Sequence, residues 1–242
     1  MALPFFYTET IDDSSPSFVL DEDTSRHAVQ VLRMQAGEQL QLTDGKGNLF
    51  AVEITDNNKK KCHVKILRST NVQRTMINVT VAISLIKNSS RFEWFLEKVT
   101  ELGVLAIIPL ICERTEKEKF RLDRMKSILV SAMLQSQQCW LPVLHEPVLY
   151  DDIWQSREIL PMLETYQQKF IAHCIETEKR NLADMINDNL STKIILIGPE
   201  GDFTPKEIQL ATDHHFIPVA LGNTRLRTET AGIVASALLC LI

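Results

Sequence analysis

The chain has 242 residues, 45% hydrophobic and 24% charged, enough for the core of one large domain or two unequal ones. Its 26 Lys and Arg against 31 Asp and Glu leave a net charge of −5, which excludes a protein that coats nucleic acid or an anionic membrane by bulk charge. The longest apolar run, residues 102–112, falls short of a bilayer span and the acidic start has no basic leader, so a soluble, cytoplasmic protein with no membrane partner is expected.

The first 25 residues carry six acids (Glu9, Asp12, Asp13, Asp21, Glu22 and Asp23) and no Lys or Arg. Up to about residue 74 the pattern is short and β-like, with apolar or alternating runs at 18–20, 39–42, 49–54 and 62–67. Turn signals separate them at 36–38, at Asp44-Gly45-Lys46-Gly47-Asn48 and at 56–58, and the Asp-Gly step predicts a hairpin. One helix is expected near 25–33. Strands of this length and spacing suggest a small barrel. Residues 26–74 hold nine basic groups against four acids, a net of +5. Charge acts over only about 10 Å at physiological salt, so a basic island on an acidic chain suffices to meet phosphates. The triplet Lys59, Lys60 and Lys61 alone reads as a solvated hairpin tip.

After residue 75 the period changes. Residues 79–86 and 104–110 are nearly continuous apolar runs, as strands buried on both faces would be. Between them Phe92, Phe95, Leu96, Val99 and Leu102 fall at helical spacing, with a capping box predicted at Ser90-Arg91-Phe92-Glu93 and Gly103 as the closing residue. A second basic stretch, 114–126, holds six basic groups and three acids, and a helix follows over 122–133. Strands are predicted at 170–174, 193–197 and 216–220. Helices are predicted from near Lys179, from the capping box Thr204-Pro205-Lys206-Glu207, and from about Glu229 onward. The alternation predicts an α/β domain with a mainly parallel sheet, and the change of period puts the domain boundary near 70–77, giving units of 1–72 and 75–242.

Five cysteines, at 62, 112, 139, 174 and 240, lack the paired spacing of a disulfide framework or zinc site, so reduced and mostly packed thiols are expected. The six histidines show no ligand spacing, and His214 and His215 cannot share a helix face, so no metal is expected.

In an open parallel sheet, ligands bind beyond the carboxyl ends of the strands. Two loops stand there. Gly198-Pro199-Glu200-Gly201-Asp202-Phe203 follows the predicted strand 193–197, and residues 221–231 follow 216–220. Neither matches a nucleotide-phosphate fingerprint. A Gly-Pro-Glu-Gly turn by itself is compatible with an ordinary tight turn. The second loop gathers two arginines, a glutamate and three hydroxyls at a helix start, where simple capping needs one residue. Exposed backbone amides in both suit an adenosine-type group.

These residues carry a resemblance. The segment 197–203, with Leu221-Gly222 and Leu226-Arg227-Thr228-Glu229-Thr230-Ala231, resembles the S-adenosylmethionine site of the SPOUT (α/β-knot) RNA methyltransferases. Within that superfamily the chain is similar to the 16S rRNA (uracil-N3)-methyltransferase family, and the likeness spans essentially its whole length. His27 to Arg33 with Gly37-Glu38 and Asp44-Gly45 resembles that family's N-terminal pattern, and 95–103 with 109–114 resembles its central one. The resemblance implies a PUA-like β-barrel for RNA, a C-terminal domain with a deep trefoil knot, and a homodimer formed through that domain. It also implies S-adenosyl-L-methionine in a first loop of Leu196, Ile197, Gly198, Pro199, Glu200 and Gly201. Leu221 and Gly222 form a second loop, and Leu226, Thr228, Thr230 and Ala231 a third; backbone groups hold adenine and ribose while Leu221 and Leu226 cover the ring. Three departures stand out: Asp202 where members often have glycine, Ala2-Leu3-Pro4 where an arginine is common, and 134–139 where a Glu-Gln-Ser run is usual.

The implied reaction is transfer of the sulfonium methyl to uracil N3, in small-subunit ribosomal RNA or an assembled small subunit. That nitrogen must lose a proton, and the negative charge left on the ring needs stabilising. Arg227 is the first candidate, holding the target phosphate or favouring the deprotonated base. Glu229 is the candidate base or, equally, a brace for the loop and helix start, since a helix N-terminus favours its carboxylate and weakens it as a base. The target must be single-stranded or flipped out. Arg26, Arg33 and Lys46, beside barrel turns, are the RNA-contact candidates; His27 reads equally as packing. Two alternatives remain open: a methyltransferase of the same superfamily acting on another RNA, and a non-catalytic RNA-binding assembly factor.

Overall fold

A computed structural model of the chain describes residues 3–9, 11, 16–74, 76–116, 119–157, 159–176 and 178–241. Asp12 and Asp13 of the acidic leader, Ala2, Thr75, Ile242, and Lys117 and Glu118 of the basic stretch lie outside the described residues.

The chain forms two compact units, Met1–Arg74 together with Met133–Leu141, and Thr75–Ala132 together with Pro142–Ile242. In the first, strands β1 (Phe5–Tyr7), β2 (Ser17–Val19), β3 (Gln39–Thr43), β4 (Asn48–Asp56) and β5 (His63–Asn71) make one sheet in the order β1-β3-β4-β5-β2. The pair β1–β3 is parallel and the rest are antiparallel. Alternation fixes the register: Leu40, Leu42, Phe50, Val52, Ile54 and Val64 turn to one core while Gln41, Ala51 and Lys65 turn away. Register shifts at Ala51/Val52 and Ile54/Asp56 bend β4 against β5.

The helix expected at 25–33 begins earlier. Helix α1 (Glu22–Arg26) is capped by Asp21, whose side chain accepts from Thr24 N at 2.9 Å, and it runs into a π turn, His27–Val31. The expected hairpin is present as a four-residue turn. Asp44 Oδ1 accepts from Lys46 N (2.8 Å) and Asn48 N (3.2 Å), and Gly45 and Gly47 take φ of 71° and 92°.

The segment Met133–Leu141 belongs to this unit because of Trp140. Its ring covers Gly47, where a Cβ would fall 2.3 Å from the indole, and its Nε1 donates to Val72 O at 2.9 Å. The Arg74 guanidinium lies 5.4 Å from the ring centre. Nothing in the local pattern near residue 140 announces this; it depends on a glycine some ninety positions earlier.

The second unit is an eight-stranded sheet whose pairs are all parallel. Its strands are β6 (Asn78–Ser84), β7 (Ala106–Ile111), β8 (Val143–Leu144), β9 (Val148–Leu149), β10 (Gln168–Ala172), β11 (Arg180–Asn181), β12 (Thr192–Ile197) and β13 (Ile217–Ala220). The order is β11-β13-β10-β12-β6-β7-β8, with β9 also on β7. Helix α7 (Thr228–Leu241) packs on α2 (Ser89–Glu101) and on β6, where Gly232 admits Phe95 and Ile83; a Cβ there would meet them at 2.6 and 2.9 Å. A separate apolar cluster contains Ala82, Ile108, Tyr150, Trp154, Phe203 and Phe216. Both β6 and β12 are buried along nearly their whole length, as continuous apolar runs require.

Two local expectations change. Asn88, not Ser90, caps α2: its side chain accepts from Ser90 N at 3.0 Å, while Glu93 pairs with Arg124 at 2.9 Å. Asn is at least as good a cap as Ser and stands where the chain is still extended. The helix expected near Lys179 shrinks to α5 (Leu182–Met185) after the short β11. By contrast α6 (Pro205–Asp213) has the full predicted capping box: Glu207 N donates to Thr204 Oγ1 (3.3 Å) and Thr204 N to Glu207 Oε2 (2.7 Å). Glu207 Oε1 also accepts from Glu113 N at 2.9 Å, which accounts for its complete burial. Helices α3 (Leu122–Gln135) and α4 (Ile159–Glu164) complete the set. No described helix is long and apolar enough to cross a membrane.

Candidate active site

The strand order puts the carboxyl ends of β13, β10 and β12 side by side, with the chain entering this trio from the far edge of the sheet. Beyond those ends lies a cavity of about 580 Å³. That is within the roughly 300–1,000 Å³ typical of small-ligand and cofactor sites. Its walls come from the loops after the three strands: 172–174 with Lys179, 197–200 with Asp202, and 219–228 with Ala231.

Of the predicted cofactor residues, Ile197, Gly198, Pro199 and Glu200 line it from the first loop. Leu221, Gly222, Leu226, Thr228 and Ala231 line it from the others. Two predicted loops are tied together, since Thr228 Oγ1 donates to Gly198 O at 3.0 Å. Gly198 is a tight turn against Phe203, where a Cβ would meet the ring at 3.0 Å. Gly222 is the opposite case: φ is +125°, a left-handed region glycine alone adopts freely, and the space beside its Cα is open. The backbone there is bare toward the cavity.

Four predicted residues stand elsewhere. Leu196 is fully buried in the core of β12, as alternation along that strand requires. Gly201 lies at the rim, where its carbonyl accepts from an Arg114 Nη at 2.7 Å. Thr230 is half-buried in the first turn of α7 and is outside the cavity lining. Glu229 is 5% exposed and faces away from the cavity lining toward α2, with Oε1 3.7 Å from Arg91 Nε. Consecutive residues at the start of α7 diverge by about 100° each, so Thr228 and Glu229 cannot both face the pocket. Arg227 lines the mouth and is exposed.

Sequence reasoning passed over one wall. His173, Cys174 and Lys179 follow β10, and Asp202 meets them from the β12 loop. Asp202 holds a left-handed φ of 65°, and its Oδ2 accepts from Cys174 N at 2.8 Å while Oδ1 accepts from Phe203 N at 2.9 Å. Lys179 Nζ meets His173 Nδ1 at 3.3 Å and donates to Ile175 O. Burial, with the Lys179 charge adding to it, pushes the His173 pKa below its ordinary value, so the ring is neutral. The departure of Asp202 from glycine was the available signal; the adjacency of β10 to both β12 and β13 was not.

The residues fit an adenosine-type cofactor. Ile197, Val219, Leu221 and Leu226 supply apolar cover, the Gly222 backbone supplies unhindered polar groups, and His173 Nε2 is a buried polar atom without a partner. Among the described residues no cluster of three or more His, Cys, Asp or Glu could hold a metal.

The RNA-contact candidates lie in the first unit, all exposed. Arg26 pairs with Asp23 at the end of α1, Arg33 follows the π turn with φ of 58°, and Lys46 tops the β3–β4 turn. His27 packs edge-on against Phe6, with ring centres 5.4 Å apart.

A family model described as an RNA methyltransferase domain matches residues 73–240, and one described as an RNA methyltransferase PUA domain matches 20–67. The chain belongs to this RNA methyltransferase family. It is 30% identical over 245 residues to the ribosomal RNA small subunit methyltransferase E of Mycobacterium bovis, covering 97% of this chain and 90% of that protein. Two solved members of the family share the fold throughout. A probable rRNA-methyltransferase from Porphyromonas gingivalis superposes with a TM-score of 0.86 at 36% identity, covering 97% of this chain and 95% of that one. The ribosomal RNA small subunit methyltransferase E of Neisseria gonorrhoeae, bound to S-adenosyl methionine, gives 0.81 at 30% identity over the same shares.

Proposed function

We propose that this chain transfers the methyl group of S-adenosyl-L-methionine to N3 of one uridine in small-subunit (16S) ribosomal RNA. The observation that carries the reading is the cavity at the ends of β10, β12 and β13, lined by nine of the twelve residues assigned to the cofactor from sequence. The cofactor supplies an electrophilic methyl on sulfur. The protein has to hold it, exclude water and manage the proton and charge of the uracil. Loops 197–200 and 221–228 hold it, with backbone groups at Gly198 and Gly222 and apolar cover from Leu221 and Leu226. Arg227, exposed at the mouth, receives the target nucleotide and favours the N3-deprotonated ring by its fixed charge. The position of Glu229 supports the brace rather than the base: buried against Arg91, it anchors the first turn of α7 and so aims Arg227.

In this reading residues 1–72 are the RNA-binding unit, touching phosphates through Arg26, Arg33 and Lys46, and 75–242 the catalytic one. The active form is a cytoplasmic homodimer joined through the second unit, with the knotted chain path the resemblance implies. The test is incubation with methyl-labelled cofactor and small ribosomal subunits lacking the modification. Label at uridine N3 is expected. Label only on transfer RNA, or at another position, would overturn the substrate; absence of cofactor binding in calorimetry would leave a non-catalytic assembly factor.

A further inference from the structure

Among the described residues two buried side-chain polar atoms have no hydrogen-bond partner, Trp154 Nε1 and His173 Nε2. Trp154 lies in the apolar cluster beside Phe216 and stacked on His214, outside the lining of the cavity described above. His173 lines the pocket. The contacts of its ring settle which nitrogen carries the proton. A lysine has three donors and no acceptor, so Lys179 Nζ at 3.3 Å requires Nδ1 to accept. In a neutral imidazole the hydrogen is then on Nε2. His173, a residue of the pocket wall that is 8% exposed, therefore carries one buried N–H donor with no partner.

The charge beside it narrows the ligand group. Lys179 contacts His173 Nδ1 and the carbonyl of Ile175, neither of them charged, so among the described residues its charge is not matched by an ion pair. Asp202, whose negative charge acts on His173, accepts from Cys174 N and Phe203 N, and Glu200 accepts from Lys87 N at 3.3 Å, so neither carboxylate is ion-paired with Lys179. An acceptor bearing negative charge completes this corner. Resting on the function proposed above, the cofactor offers one such group. We propose that His173 is a specificity-determining residue whose Nε2–H donates to the α-carboxylate of S-adenosylmethionine, with Lys179 fixing the tautomer and balancing the charge. Asp202 is a positioning residue: it ties the loop that carries His173 to the β12 loop.

The decisive measurement is calorimetric binding of S-adenosylmethionine and of its decarboxylated analogue to the wild type and to His173→Phe, Lys179→Gln and His173→Gln. A hydrogen bond to a charged group predicts a loss of about ten- to a hundredfold for the carboxylate-bearing ligand in His173→Phe. The decarboxylated analogue should change by less than threefold. His173→Gln, which keeps an N–H donor, should recover part of the loss, and Lys179→Gln should lose affinity for the carboxylate ligand alone. Turnover should show a raised KM for the cofactor with kcat retained. Equal losses for both ligands would overturn the carboxylate assignment, and unchanged affinity in His173→Phe would overturn the role of His173. Should His173→Phe fail to fold, the wild type and Lys179→Gln carry the test: equal affinity of each for both ligands overturns the proposal. Failure of the wild type to bind S-adenosylmethionine at all would instead overturn the methyltransferase reading.

Discussion

The two units solve the same problem, burying a sheet, in opposite ways. In the first, β4 alternates, with Phe50, Val52 and Ile54 inward and their neighbours less buried, and the outer face of β4 and β5 carries charge at Glu53, Asp56, Lys65 and Arg68. In the second, β6 and β12 are covered on both faces and are mostly apolar, with the buried Thr80 hydroxyl bonded to Tyr166 at 2.6 Å. A half-open sheet offers a broad charged face; a doubly covered one offers a single rim of loops. Phosphate contact suits the first and a pocket suits the second. The net charge of −5 thus hides an uneven distribution, +5 over residues 26–74 beside a second unit whose cavity is lined by Lys179, Arg225 and Arg227.

That contrast breaks most sharply at Arg227. Arg227→Ala should lower kcat by about a hundredfold or more, the scale of losing one charge-stabilising group, while calorimetry finds S-adenosylmethionine affinity within a few-fold of wild type. Loss of binding with turnover per bound cofactor intact would move Arg227 from the reaction to the cofactor.

The first unit has its own weak point. Trp140→Ala removes the ring over Gly47 and the bond to Val72 O, and should cost about 2 kcal/mol. This lies below the usual 3–5 kcal/mol because the indole is only half-buried. Hydrogen exchange should quicken in β3 and β4 and stay unchanged in β6 and β12. Equal acceleration in both sheets would show that Trp140 does not serve the first unit alone.

The sequence signalled the second unit better than the first because its signals are local. The continuous apolar runs became β6, β7 and β12, the box Thr204-Pro205-Lys206-Glu207 started α6, and both conspicuous loops reached one cavity. What escaped is non-local. Trp140 reads as an unremarkable residue until Gly47 lies beneath it, and His173 reads as the end of a strand until β10 is found between β12 and β13. Ser90 was displaced as a cap by Asn88, two residues nearer the strand, because equivalent capping residues in succession leave the choice to backbone geometry. Glu229 was half legible: its place at a helix start was visible, its direction was not, since that depends on the packing of α2 against α7.

Smaller effects sharpen the charge side of the comparison. Arg33 keeps a left-handed backbone without being glycine, strain of the kind found where a side chain is needed in one place. Arg33→Gly should leave stability within about 1 kcal/mol, since relief of strain offsets the entropy of the unfolded glycine. It should weaken RNA binding and lower the slope of log affinity against log salt by about 1, as should Lys46→Gln. Cofactor affinity should not move. A variant that alters cofactor binding and spares the salt slope would take these residues out of the RNA-binding face.

The smallest effect is the most specific to this chain. Asp202 pays for its side chain with a left-handed φ of 65°. Replacing it, Asp202→Gly, relieves about 1 kcal/mol of left-handed strain and removes the bonds to Cys174 N and Phe203 N, each a contribution of similar size. The two lost bonds outweigh the relief by about 1 kcal/mol, so the unfolding midpoint should fall by about 2–4 °C. The consequence for the pocket is separate. The β10 loop loses its tie to the β12 loop, and His173 and Lys179 are held less firmly, so cofactor affinity should fall by a few-fold, as measured at a temperature well below the midpoint. A midpoint drop several times larger would mean that Asp202 holds the fold; the small drop with weakened binding means that the carboxylate is there to set the geometry of one wall.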